Sequence, residues 1–193
     1  MKGNDYIIEF KNIKKSFGEK CVLDDVSLSI RQGEFVTILG PSGCGKTTTL
    51  NLVLGFNFST AGELLIDGKD IREIDRKSLQ DSVGIVMQNT VLFSGSIADN
   101  MRMGKEDATE DEMIDALKKA DIADFVLSLP DGLNHKIEQD ATNISGGQRQ
   151  RISIARTLIS EPDILILDDS LSAVDLITES KIRKALNKLK MTK

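Results

Sequence analysis

The apolar positions of this chain fall into short blocks whose period changes along the sequence. Tyr6-Ile7-Ile8-Glu9-Phe10 and residues 22–30 are apolar-rich, the second alternating in part, which predicts two strands separated by the turn Phe17-Gly18-Glu19-Lys20. After a second turn signal at Gln32-Gly33, residues 34–39 read as a short buried strand that runs directly into Gly40. A helix is predicted over about 46–55, with Leu50, Val53 and Leu54 on one side. Residues 62–68 give a strand and turn, and residues 83–87 another buried strand. Residues 97–101 and 111–129 carry a helical period, with Met113, Ile114, Leu117 and Ala120 on one face. Thr109 is placed to cap the second of these, with Glu112 at the capping-box position, and Pro130-Asp131-Gly132 ends it. A long helix is predicted from near Ser145 to before Glu161-Pro162. Ile164-Leu165-Ile166-Leu167 then forms a buried strand ending at Asp168-Asp169, and a last helix covers about 175–189. Strands alternating with helices indicate an α/β fold with a mostly parallel sheet, into which the helical middle, about residues 89–160, is inserted.

Composition narrows the classes. At 193 residues the chain has the length of a single domain with a sizeable core, and 40% hydrophobic with 28% charged residues is the balance of a globular protein. A net charge of −5 argues against a broad nucleic-acid or anionic-membrane footprint, and no nucleic-acid partner is expected. No apolar run approaches the ~20 residues that span a bilayer, and the first residues lead into a strand rather than a signal region, so a cytoplasmic location is expected. Cys21 and Cys44 make neither a disulfide framework nor a zinc site and read as free thiols. His135 has no second ligand at metal spacing and reads as a loop residue.

The chemistry starts at Gly40-Pro41-Ser42-Gly43-Cys44-Gly45-Lys46-Thr47, which fits the phosphate-binding pattern G-x-x-x-x-G-K-[ST] between a predicted strand and a predicted helix. The glycines let successive N–H groups turn toward phosphate oxygens, and the helix N-terminus adds partial positive charge. Lys46 supplies a full charge for the β- and γ-phosphates, the Thr47 hydroxyl a hard oxygen for Mg²⁺, and Thr48 follows within the same loop-to-helix turn. A Mg²⁺–phosphate site also needs an acid at the end of a neighbouring strand. Asp168 fills that role after the apolar run 164–167, and Asp169 is positioned to polarise an attacking water.

With these motifs in place, Ile144-Ser145-Gly146-Gly147-Gln148 resembles the signature of ABC transporter nucleotide-binding domains, and the resemblance covers nearly the whole chain. It implies a P-loop NTPase core with an N-terminal antiparallel β subdomain and a helical signature subdomain. It also implies that Ser145, Gly146, Gly147 and Gln148 face the γ-phosphate of ATP held by a second such domain, in a homo- or heterodimer with two ATP molecules sandwiched between subunits. By the same resemblance, Phe17 stacks on adenine, Gln88 reaches Mg²⁺ and the water and touches a transmembrane partner, and Ser172-Ala173-Val174-Asp175 crosses the dimer interface. The partners implied are a second ATP-binding domain and a transporter's transmembrane domain, with the chain peripheral on the inner face of the cell membrane.

Residues 34–49 resemble importer ATPases. Gln88-Asn89-Thr90-Val91-Leu92-Phe93-Ser94-Gly95-Ser96-Ile97, Ser128-Leu129-Pro130-Asp131-Gly132 and Leu167-Asp168-Asp169-Ser170 resemble exporters. The exporter class is favoured because the region between Gln88 and the signature is the one that meets the membrane domain. The importer ATPase and a non-catalytic nucleotide-binding partner are the alternatives. Three positions depart from the family pattern. Asp169 stands where a catalytic Glu is usual, which draws the carboxylate back by about 1.5 Å. Gln139 stands where exporters place a Glu before the signature. The switch histidine, expected on a strand after the last helix, is not among the 193 residues, so the domain is expected to be C-terminally incomplete and weakly stable alone and to show little or no hydrolysis.

Overall fold

In unit 1, residues 1–83 with 190–193, two long strands form the spine. The structure, a computed structural model, describes residues 5–88, 90–168, 175–187 and 192. Strand β1 (Tyr6–Phe17) pairs antiparallel with β2 (Lys20–Arg31) on one side and with β3 (Ala61–Ile66) on the other. β4 (Lys69–Asp70) completes the order β2-β1-β3-β4. Ile8, Phe10 and Ile13 are buried, with Ile8 opposite Ile30 and Ile66, and Phe10 opposite Leu64; a register shift between Phe10 and Ile13 brings Ile13 into the core. Helix α1 (Lys46–Val53) buries Leu52 and Val53.

Two expectations change in this unit. Residues 34–39 are not a buried strand: they form no strand among the described residues, and Ile38 and Leu39 are 41% and 86% exposed. A buried strand requires partners for its N–H and C=O groups on a neighbouring strand, and none of β1 to β4 pairs with these residues. Conversely, the polar run after Asp75 forms a helix, α2 (Arg76–Ser82), that hydrophobic periodicity does not signal, because only Leu79 is buried. Its start is fixed by Asp75, whose carboxylate accepts from the Ser78 N–H at 3.0 Å.

Unit 2, Gly84–Leu189, is mainly helical. β5 (Val83–Val86) pairs with β8 (Ile164–Leu167), and β6 (Gly95–Ser96) pairs antiparallel with β7 (Lys136–Ile137). The helices are α3 (Ile97–Arg102), α4 (Glu110–Lys119), α5 (Ala123–Ser128), α6 (Gly146–Leu158) and α7 (Leu176–Asn187). α6 is the centre of this core, with Ile152, Ile154, Ala155 and Leu158 buried, and α4 packs on it through Met113, Ala116 and Leu117. The helix predicted over 111–129 is two helices. Asp121 takes a left-handed conformation, φ 54°, which breaks the first and lets Ala123 and Val126 of the second turn inward. The break is held by Arg151, which donates to the Asp121 carbonyl at 2.8 Å.

The capping box expected at the start of α4 is present. Thr109 Oγ1 accepts from the Glu112 N–H, and Glu112 accepts from the Thr109 N–H at 2.8 Å. The Lys105 ammonium and then the Thr109 N–H hold the Glu112 carboxyl at about 2, below its ordinary 4.5. Because the folded value is the lower one, this stabilisation is complete above about 4.5 and is lost as pH falls toward 2. Gln in place of Glu112 keeps the cap geometry and removes the charge. Urea unfolding of Glu112→Gln is expected to show a lower midpoint than wild type at neutral pH, with the gap closing as the medium is acidified through that window.

Candidate functional site

The loop that opens α1 is shaped by two left-handed glycines. Gly43 sits at φ 81° and Gly45 at φ 95°, and the turn between them is tied by the Cys44 N–H donating to the Pro41 carbonyl at 3.3 Å. Gly45 is the N-cap of α1, and no side chain caps this helix; its first turn also carries no acid. The first N–H groups of α1 therefore keep their donors and the positive end of the helix dipole for an outside anion. Lys46 is half-buried and bends back over the loop, donating to the carbonyls of Gly40 and Pro41, the second at 2.9 Å. Cys44 and Thr47 are exposed. A curled backbone, an uncapped helix start and one ammonium over the loop fit a phosphate chain.

In unit 2 the Asp168 N–H donates to the Val86 carbonyl at 3.0 Å. This bond brings the carboxyl end of β8 beside the carboxyl end of β5, so that Asp168 and Gln88, two residues beyond Val86, leave the strand pair at the same end. Ile164, Leu165 and Ile166 behind Asp168 are buried, which fixes the strand as expected. Asp169 and residues 172–174 lie outside the described residues; Asp175 is described and caps α7 by accepting from the N–H groups of Ile177 and Thr178 at 3.1 and 3.0 Å. Those bonds hold its carboxyl below the ordinary range.

Residues 145–148 form the start of α6. Ser145 is its N-cap: its hydroxyl oxygen accepts from the Gln148 N–H at 3.3 Å, while Gln148 Oε1 accepts from the Ser145 N–H at 2.9 Å. Both side chains thus serve a capping box. The Ser145 hydroxyl hydrogen is not used in the cap and stays available to donate, as do the N–H groups of Gly146 and Gly147 in the first turn. Phe17 ends β1 with its ring 49% exposed and the Lys15 ammonium 4.8 Å from its centroid, an open aromatic face rather than a core ring. Gln139 starts a short 3₁₀ turn and is exposed.

Sequence reasoning misses one cluster in unit 2. Asn100 is fully buried, accepts from the Phe93 N–H and donates to the Phe93 carbonyl, both at 2.9 Å, and Arg156 donates to the Val91 carbonyl at 3.0 Å. A polar residue inside the apolar face of α3 is the available signal; its partners lie in a loop and in a helix more than fifty residues on.

Comparison with known proteins places the chain in a family. A family model described as ABC transporter matches residues 23–172. The chain is 44% identical over 184 residues to a Bacillus subtilis (strain 168) protein named for multidrug export as an ATP-binding/permease protein, covering 94% of this chain and 32% of that one. It is 43% identical over 182 residues to the ATP-dependent lipid A-core flippase of Syntrophus aciditrophicus (strain SB), covering 94% and 30%. A solved bacterial Atm1-family ABC exporter with ATP bound superposes with a TM-score of 0.90 at 35% identity, over all of this chain and 34% of its own. The chain thus spans about a third of the length of these relatives.

The loop geometry makes one position decisive. A Cβ on Gly45 would lie 2.7 Å from Leu23 Cδ2 and 3.3 Å from the Val22 carbonyl, at a φ that L-residues rarely adopt. Gly45→Ala is expected to destabilise the fold by about 2 kcal/mol in urea unfolding and to weaken ATP binding in the same preparation.

Proposed function

This chain belongs to the ABC transporter family, and we propose that within it the chain acts as the ATP-binding part of an exporter, coupling ATP binding and hydrolysis to movement of a substrate across a membrane. The observation that carries the reading is the start of α1, where left-handed Gly43 and Gly45, an uncapped helix and Lys46 form a phosphate cradle. In this reading residues 40–48 hold the triphosphate, with Lys46 on the β- and γ-phosphates, and Phe17 lies against adenine. Thr47, Gln88 and Asp168 are hard oxygen donors suited to Mg²⁺, directly or through water. When bound, that ion neutralises charge developing on the phosphates. Water attacks the γ-phosphorus as the bond to the β–γ bridging oxygen breaks and ADP leaves, with Asp169 orienting the water and accepting its proton.

Two partners follow from the same reading. The Ser145 hydroxyl and the N–H groups of Gly146 and Gly147 are donors for the γ-phosphate held by a second ATP-binding domain, identical or different. A transmembrane domain docks near Gln88, where Met87, Val91 and Phe93 are 60%, 60% and 51% exposed. Among the described residues no helix is long and apolar enough to cross a membrane, so that part of the transporter is supplied outside them. Export is favoured over import because the relatives are named for multidrug export and for lipid A-core flipping.

Asp169 sets the expected rate. An Asp side chain is one methylene, about 1.5 Å, shorter than a Glu, and a displacement of this size lowers a catalytic step by on the order of 100-fold. In the assembled transporter, Asp169→Glu should raise steady-state ATP turnover, read by phosphate release; an unchanged or lower rate in a folded, ATP-binding variant would contradict the role given to Asp169.

A further inference from the structure

The loop that carries Val91 and Phe93 presents their side chains to solvent while its backbone is fastened from behind. Asn100 on α3 meets Phe93 as a neighbouring strand would, taking its N–H and giving to its carbonyl, each at 2.9 Å, and its amide also donates to the Ser96 carbonyl at 3.1 Å. Arg156, in the last turn of α6, donates to the Val91 carbonyl at 3.0 Å and to Ser153 Oγ at 3.3 Å, and its other nitrogen reaches Asn100 Oδ1 at 3.5 Å. Its guanidinium lies 5.9 Å from the centre of the Phe93 ring. Burial alone pushes the Arg156 pKa down, with no carboxylate offsetting it. Among the described residues, this cation is therefore committed to the loop backbone and to Asn100 rather than to an ion pair.

The fastening reaches further than the loop. Gly104, just past α3, lies so close to the Arg156 carbonyl that a Cβ there would overlap it, so α3 and the end of α6 are in backbone-level contact. Residues 91–96, α3 and α6 are thus joined at both ends of Asn100. The far end of α6 is the Ser145–Gln148 capping box, and the buried positions of the helix run from Gln150 to Leu158. A helix so packed moves as a unit, because close-packed cores shift between arrangements rather than deform continuously.

We propose that Asn100 and Arg156 are positioning residues that fasten the loop carrying Val91 and Phe93 to the helix that begins at Ser145, so that a partner pressing on this loop resets the donors at residues 145–147. The proposal rests on the reading that a transmembrane domain docks at Val91 and Phe93. Arg156 suits the task because its planar fork reaches the Val91 carbonyl and Asn100 together, whereas a lysine ammonium on a flexible stem would reach one of them.

The experiment compares three variants of the assembled transporter, each checked for melting temperature, ATP binding and co-purification of the membrane partner. Arg156→Met is expected to keep the partner and to keep KM for ATP within about twofold, while its maximal ATP turnover falls by about fivefold or more. Arg156→Lys is expected to fall between Met and wild type, and it carries the comparison if the Met variant melts early. Phe93→Asp is expected to lose the partner. A wild-type maximal rate in any folded Arg156 variant overturns the fastening role, as does a loss of ATP affinity that accounts for the whole defect. If Phe93→Asp keeps both partner and rate, the docking reading fails first and the proposal falls with it.

Discussion

Every helix leaves its first N–H groups without intrahelical acceptors, and what each helix of this chain does with them organises the rest of the structure. α2, α3, α4, α6 and α7 use their own side chains: Asp75, Ser96, Thr109, Ser145 and Asp175 accept from those groups. A cap of this kind is worth about 1 kcal/mol, so leaving one out of an eight-residue helix is a measurable cost. α1 and α5 leave it out; α5 carries Asp124 in its first turn, whereas α1 opens on a left-handed glycine and has no acid there. The donors of α1 are open to water or to an anion of outside origin, and Lys46 over the same turn favours the anion. The ATP binding proposed for this family member rests on that open helix start together with the left-handed glycines and Lys46.

The start of α6 shows the complementary solution. Ser145 and Gln148 close a reciprocal box, so the helix is stable by itself, and the hydroxyl hydrogen of Ser145 remains free to donate. One helix start waits for a phosphate, and the other is already built yet still has donors to offer. That asymmetry matches the division of labour proposed for them, a primary cradle and a secondary contact to a nucleotide held by another domain. The loop at residues 91–96 then matters because it is bonded to the same helix through Asn100 and Arg156.

Much of this was legible in the sequence, for local reasons. The glycines and lysine at 40–46 act through backbone geometry within a few residues. The Thr109–Glu112 box spans three positions, and the run 164–167 is apolar enough to be a buried strand in most surroundings. What was not legible depends on distant neighbours. Residues 34–39 have the pattern of a buried strand, but burial is a property of what lies alongside, and Leu39 is left 86% exposed. The break at Asp121 is a single left-handed residue inside a continuous helical period, stabilised by Arg151 thirty residues on. α2 has one buried residue and no periodicity to read. The Arg156–Val91 bond joins positions 65 residues apart, which no spacing rule reaches.

The central claim is that the unsatisfied N–H groups at the start of α1 are the ATP phosphate site. Amide hydrogen exchange followed residue by residue at 43–48, with and without ATP and Mg²⁺, tests it most directly. The account predicts marked slowing at these amides on addition of ATP, with little change at the already capped start of α4. Unchanged exchange at 43–48 under conditions where ATP is bound would contradict it.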